Sequence, residues 1–189
     1  MTLIAGKIDK DGTVWMGADS FCGNAYNGYI IPNGKVRKKD GYLFGITGSG
    51  RFSQIIEHHV NLPSLPKTNS GDQHIIKIVD LLSEGLNKHH LASEKDNIRR
   101  IHGSVLIGWH GRLYTIFSDF QYVRTIIPYA CVGCGEDFGL SAIYSTLHQA
   151  KDSSESILYA LRAASHFGPC VEPPFVIKNT DGFKKTYKK

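Results

Sequence analysis

The order of the predicted helices and strands is the feature of this sequence that most constrains its fold. Two groups of short, β-rich segments are each followed by two predicted helices, and one or two further strands close the chain. A doubly wound parallel sheet needs single helices that alternate with strands, so this order argues against that fold. It instead predicts an α+β protein, a four-layer αββα sandwich of two stacked antiparallel sheets flanked by helix pairs.

The separate elements follow from turn residues and hydrophobic spacing. The runs TLIAGKI and TVWMGAD flank a turn at residues 9–12 and predict a β-hairpin. Capping-box spacing predicts helices that begin near Ser70 and at Asp152. Apolar residues at helical spacing predict two more, at residues 52–60 and about 138–150.

Length and charge limit the alternatives. The 189 residues fit one domain, residues 1–189, with a short basic tail at 184–189 and a net charge of +5. The tail could contact nucleic acid or an acidic partner, but a frayed, solvated terminus is the simpler interpretation. With neither a long apolar run nor a secretory signal, the sequence predicts a cytoplasmic protein that binds no membrane.

The four cysteines do not predict a metal site. Cys131 and Cys134 form a C-x-x-C motif, but a zinc site needs a second pair at similar spacing. A redox pair remains an alternative, and reduced structural thiols are the simpler interpretation. We therefore predict neither a metal nor a cofactor.

Thr2 is the candidate nucleophile. Removal of Met1 is favoured before a small residue, and it would place a hydroxyl and a free α-amine on Thr2. The α-amine titrates near neutrality, so it can act as the general base for its own hydroxyl.

Three further residues support this hypothesis when they are taken together. The hairpin brings Asp19 to the same end as Thr2, and Lys35 begins another strand. A lysine near the α-amine lowers the pKa of that amine by charge repulsion, while a carboxylate keeps the lysine charged. Gly48, in Thr-Gly-Ser-Gly before a helix, is a candidate backbone donor to an oxyanion. Each residue alone has a simpler explanation, as a turn cap, a solvated charge or a helix N-cap.

The segments MTLIAGKI, GADS, GKV, LFGITGSG, SVLIG and VGCG together resemble the proteasome β-subunit family, especially its bacterial HslV-type members. The resemblance implies an N-terminal-nucleophile threonine peptidase that assembles into stacked rings around a chamber supplied by an ATP-dependent unfoldase. It assigns Thr2 as the nucleophile, Asp19 and Lys35 as its supporting pair, and Gly48 as the oxyanion glycine.

The sequence departs from this family at two places. Gly133-Cys134-Gly135 replaces the usual Gly-Ser-Gly, so Cys134 takes the position of a serine that assists the amine. A thiol is a weaker hydrogen-bond donor than a hydroxyl. Many members also carry an aspartate after the fourth helix, where this chain reads SHFGPCVEPPF.

The predicted function is that of an HslV-like threonine peptidase that hydrolyses unfolded polypeptide. The alternatives are a non-catalytic ring subunit of the same fold and a small-molecule amidase with the same chemistry. A basic nucleic-acid-binding protein is the alternative from a different class.

Overall fold

The computed structural model describes residues 2–23, 27–67, 72–95, 98–109, 111–168 and 171–188. The first half of the chain contains β1 (Leu3–Ile8), β2 (Val14–Ala18), β3 (Phe21–Gly23), β4 (Gly28–Ile30), β5 (Val36–Lys39), β6 (Tyr42–Ile46), α1 (Gly50–His59) and α2 (Gln73–Lys88). The second half contains β7 (Ala92–Lys95), β8 (Ile98–Ile101), β9 (Val105–Trp109), β10 (Arg112–Ile116), β11 (Tyr122–Arg124), β12 (Tyr129–Gly133), α3 (Glu136–Ser145), α4 (Ser153–Phe167), β13 (Phe175–Asn179) and β14 (Lys184–Tyr187).

The strands form two five-stranded antiparallel sheets. The first sheet has the order β12-β1-β2-β13-β14, and the second has the order β11-β10-β9-β6-β5. The pairs β3–β4 and β7–β8 form two small hairpins beside them. The predicted pair of antiparallel sheets is confirmed.

Alternation along the strands divides the interior into three hydrophobic clusters. In β1, Leu3 and Ala5 pack with α3 and α4, while Ile4 packs against the second sheet. In β6, Tyr42 packs with α1 and α2, while Leu43 turns toward the first sheet. Because successive strand residues point to opposite faces, each sheet buries both of its faces. The αββα order of layers is therefore confirmed.

The clearest turn and cap signals of the sequence are found in the structure. β1 and β2 form the predicted hairpin, and Gly12 adopts a φ of 89° in its turn. The Asp152 side chain accepts the N–H of Glu155 at 2.8 Å and caps α4 as predicted. α2 begins at Gln73, and the proposed cap Ser70 lies outside the described residues.

The third helix is shorter than its prediction of about 138–150. It begins at Glu136 and ends at Ser145. The Thr146 hydroxyl donates to the Ala142 carbonyl at 2.7 Å, and the residues that follow are mainly polar. A helix gains little by continuing where it has no apolar face to bury.

The interpretation of the basic tail as a frayed terminus was wrong. Residues 184–187 form β14, which pairs with β13 at the edge of the first sheet. Tyr187 packs against the α3–α4 cluster, and its hydroxyl lies 3.2 Å from Ser154 Oγ. This packing anchors a segment whose charges alone suggested a solvated end, and Lys189 lies outside the described residues.

Two short hairpins were absent from the sequence-based assignment. The charged segment ASEKDNIRR, residues 92–100, has no strand pattern in the sequence, yet β7 and most of β8 lie within it. The other hairpin, β3 and β4, pairs Phe21 with Ile30 and Gly23 with Gly28. Among the described residues, no helix is long and apolar enough to cross a membrane.

Candidate active site

The β1–β2 hairpin positions Thr2 and Asp19 at one end of the first sheet. Thr2 immediately precedes β1, and Asp19 immediately follows β2, so the pairing register places them side by side. Asp19 is completely buried. Its carboxylate accepts the backbone N–H of Leu3 and that of Phe21, both at 3.2 Å. These two bonds fix the carboxylate between the strands.

Lys35 joins Thr2 to Asp19. Its Nζ donates to Thr2 Oγ1 at 2.6 Å and to Asp19 Oδ2 at 2.5 Å. Burial raises the pKa of Asp19 above its ordinary value, while the charge and hydrogen bond of Lys35 act in the opposite direction. The lysine side chain is only 13% exposed, so the ion pair is largely withdrawn from water. A cation is thereby held in contact with the threonine hydroxyl.

Cys134 lies on the other side of Thr2. The Thr2 N–H donates to Cys134 Sγ at 3.2 Å, and this thiol lies 3.5 Å from the Thr2 carbonyl oxygen. The Gly135 N–H also donates to that carbonyl, at 3.4 Å. Cys134 therefore contacts the nitrogen that would become the α-amine. Met1, whose removal is predicted, lies outside the described residues.

Gly133 is a site residue that the sequence analysis did not assign. Its φ is 109°, and a Cβ there would lie 2.2 Å from the Thr2 carbonyl oxygen. Only glycine lets β12 come this close to the start of β1. The motif Gly133-Cys134-Gly135 already contains this glycine, but the sequence predicts a role only for its cysteine.

Gly48 lies in the turn that leads into α1. Its φ is 91°, and a Cβ would lie 1.9 Å from the His102 carbonyl oxygen, so this position requires glycine. Ser49 caps α1 by accepting the Arg51 N–H at 3.2 Å. The positive end of the α1 dipole points toward the site, which favours negative charge there.

A cavity of about 220 Å³ opens between these elements and includes both Thr2 and Gly48. This is below the range of about 300–1000 Å³ typical of small-molecule sites, so it suits one part of a substrate rather than all of it. The remaining residues of its wall are Cys22, Ile31, Lys35, Arg37, Ile46, Ser49, Gly50, Ser53 and Gln54.

The structure thus brings the five predicted site residues together. Lys35 and Cys134 contact Thr2, Asp19 holds Lys35, and Gly48 lines the same cavity as Thr2. The arrangement holds a hydroxyl next to a buried cation and a nitrogen next to a thiol. Within the described part of the chain, no group of three or more histidine, cysteine or acidic side chains is arranged to hold a metal ion.

Comparisons by sequence identify no relative. No family model matches the chain, and no curated protein sequence matches it. Solved structures do resemble it. The BPH protein of Thiobacillus denitrificans has a TM-score of 0.77 at 19% identity, and the alignment covers 99% of this chain and 98% of that chain. A second structure of that protein, in complex with epoxomicin, has a TM-score of 0.76 at 17% identity and covers 100% of both chains.

Two further proteins share the fold. Anbu, an ancestral β-subunit from Yersinia bercovieri, has a TM-score of 0.68 at 12% identity, and covers 100% of this chain and 87% of that chain. HslV from Trypanosoma brucei has a TM-score of 0.66 at 13% identity and covers 95% and 98%. At such low identities the similarity shows the fold alone. The chain therefore has the fold shared by BPH, Anbu and HslV.

Proposed function

We propose that this protein is an HslV-like threonine peptidase whose nucleophile is the Thr2 hydroxyl, exposed on an N-terminal residue by removal of Met1. The observation that carries the proposal is the position of Lys35 Nζ, 2.6 Å from Thr2 Oγ1 and 2.5 Å from Asp19. The proteasome-like fold supports it.

The chemistry follows from the groups around Thr2. The α-amine takes the hydroxyl proton while the oxygen attacks the carbonyl of the scissile amide. Lys35 stabilises the negative charge that develops on the attacking oxygen, and the Gly48 N–H stabilises the oxyanion. The amine then protonates the leaving amine, and an ester on Thr2 remains.

Water completes the reaction. The α-amine removes a proton from a water molecule, the water attacks the ester, and the Thr2 hydroxyl is regenerated. Cys134 acts as a positioning residue in both steps, because its sulfur contacts the Thr2 nitrogen and orients it toward the hydroxyl. No cofactor or metal takes part in this scheme.

The wider proposal concerns substrate and assembly. Residues 1–189 act as one catalytic domain, on unfolded polypeptide, in homo-oligomeric stacked rings. An ATP-dependent unfoldase supplies the substrate, and the location is cytoplasmic. The fold shared with HslV and Anbu supports these assignments.

The decisive experiment combines intact mass with peptide hydrolysis. The native protein should lack the mass of Met1 and should hydrolyse a fluorogenic peptide. Thr2→Ala should abolish turnover, whereas Thr2→Ser keeps a hydroxyl and should retain part of it. Thr186→Ala, which removes an exposed hydroxyl on β14, is the matched control and should match wild type.

Three outcomes would contradict the proposal. Full retention of Met1 in native material excludes an α-amine on Thr2. Equal rates for wild type and Thr2→Ala exclude the nucleophile. Turnover of small amides without cleavage of unfolded protein would favour the amidase alternative, and ring assembly without any turnover would favour a non-catalytic subunit.

A further inference from the structure

A second, larger depression lies next to the Thr2 cavity. Its volume is about 650 Å³, within the range of about 300–1000 Å³ found for small-molecule sites. It opens where β5, the edge strand of the second sheet, meets β13 and β14 of the first. Arg37 lines both cavities and is the side chain that separates them.

Four cations converge in this depression. Arg37 and Lys38 come from β5, Lys178 from β13 and Lys184 from β14. We call the depression that these four residues line the basic depression. Among the described residues that line it, Glu57 is the one carboxylate, and it pairs with Arg37 at 3.1 Å. The wall therefore carries a formal excess of three positive charges.

The three lysines are held in place by backbone and amide oxygens rather than by carboxylates. Lys178 Nζ donates to the Val36 carbonyl at 2.6 Å, and Lys184 Nζ donates to Asn33 Oδ1 at 2.5 Å. Lys38 Nζ donates to the Thr180 carbonyl. An ammonium group has three donors, so each of these bonds uses only one of them. Fixed cations with further donors are what a multivalent oxyanion requires.

The neighbouring charges also act on Lys178. Burial, with the positive charges of Arg37 and Lys184, lowers the pKa of Lys178 to about 8, and Glu57 only partly opposes them. Repulsion among like charges in a partly buried pocket destabilises the empty site, and a bound anion would relieve it.

We propose that the basic depression is a binding site for a small multivalent oxyanion, with phosphate groups as the chemistry it recognises. Its size and the convergence of four cations from three strands favour a compact ligand over an extended one. Lys185 follows Lys184 in the strand but lies over the Tyr187 ring, 4.8 Å from its centroid, and does not line the depression, so it can serve as a control. The site is separate from the proposed peptidase reaction and does not depend on it.

The test is calorimetric titration of the protein with tripolyphosphate at an ionic strength of about 0.15 M, where the Debye length is about 8 Å. We expect saturable binding of one anion per chain. Lys38→Gln/Lys184→Gln removes two exposed cations of the depression and should weaken binding by roughly tenfold or more. Lys10→Gln/Lys185→Gln removes the same charge elsewhere and should change affinity less than about twofold. Thermal melts of both variants confirm that they are folded.

A second readout is the proton balance. An anion favours the charged form of Lys178, so binding near pH 8 should take up protons, measurable as a heat that depends on the buffer. Affinity should fall as the pH rises above that value. Absence of binding, or equal losses in the two double variants, would overturn the proposal. Tighter binding of a glutamate-rich peptide than of tripolyphosphate would also overturn it, in favour of a protein-docking surface.

Discussion

The two sides of Thr2 differ in how they are built. On the side of its hydroxyl, Asp19 is fully buried and Lys35 is nearly so. The Asp19 carboxylate of this ion pair also accepts backbone N–H groups from β1 and β3. On the side of its nitrogen, the contact is the exposed thiol of Cys134. The hydroxyl side therefore couples the proposed catalysis to the stability of the fold, while the nitrogen side can change with little cost to folding.

Lys35→Met should have the largest effect on stability. It leaves the Asp19 carboxylate buried without its cation, and loss of one partner of a buried pair costs about 3–5 kcal/mol. Urea denaturation at neutral pH measures this cost. Lys38→Met changes an exposed lysine of β5, three residues further along the chain, and should cost less than about 1 kcal/mol. Equal losses of stability in the two variants would mean that the buried ion pair contributes no more to folding than an exposed lysine does.

The deficit of Lys35→Met should also depend on pH. Because burial raises the pKa of Asp19, the folded chain binds this proton more tightly than the unfolded chain does. The contribution is therefore complete below the ordinary Asp pKa, about 3.9, and is lost as the pH rises through the folded value. Without Lys35 that folded value moves higher still. The stability deficit should be smallest near pH 4 and should grow toward neutrality, and a constant deficit would contradict this explanation.

Gly48→Ala should have the next largest effect. A Cβ at this position meets the His102 carbonyl oxygen at 1.9 Å, and the φ of 91° is unfavourable for alanine. We expect a loss of about 3 kcal/mol and a loss of turnover. Gly50→Ala is the matched control, because nothing lies within 4 Å of a Cβ there, at the start of α1. It should be neutral or stabilise by up to about 1 kcal/mol.

Substitutions of Cys134 should alter turnover with little change in stability. Cys134→Val removes the contact with the Thr2 nitrogen and should lower kcat roughly tenfold to a hundredfold. Cys134→Ser restores a hydroxyl and should match or exceed wild type. The free energy of unfolding of both variants should lie within about 0.5 kcal/mol of the wild-type value. A Cys134→Val enzyme with unchanged kcat would show that the thiol does not orient the amine.

The smallest effect expected is a difference in alkylation between two cysteines three residues apart. Cys134 is exposed, whereas burial raises the pKa of the Cys131 thiol far above its usual range. Iodoacetamide should label Cys134, and the exposed Cys22, in the native protein while Cys131 stays unlabelled. Mass spectrometry of peptides measures this, and equal labelling of Cys131 would mean that β12 opens readily.

Much of the fold could be predicted because its signals are local. The turn at residues 9–12 ends in a glycine with positive φ, and Asp152 caps α4 with its own side chain. The grouping of helices in pairs then left few arrangements of two sheets. β7 and β8 could not be predicted. The two strands are short, their residues are mostly polar and exposed, and the sequence shows no alternating apolar pattern there.

The site residues also divide into those related by local structure and those related by long-range strand pairing. Thr2 and Asp19 are related by one hairpin, so their proximity follows from the turn. The role of Gly133 depends on the pairing of β1 with β12, more than 120 residues later, and no local signal contains it. The basic depression likewise joins β5 to β13 and β14, and its lysines read in sequence as ordinary surface charge.

The lysines of β14 have a further consequence for solubility. β14 is an outer strand of the first sheet, whose strand β1 begins directly after Thr2, and an outer strand exposes backbone groups that can pair with another chain. Lys184 and Lys185 are exposed on this strand, and Lys188 follows directly. A second copy aligned along this edge would bring like charges together, which disfavours self-association through added strands. A protein proposed to process unfolded polypeptide thus carries, at the edge of its first sheet, a charge barrier against aggregation.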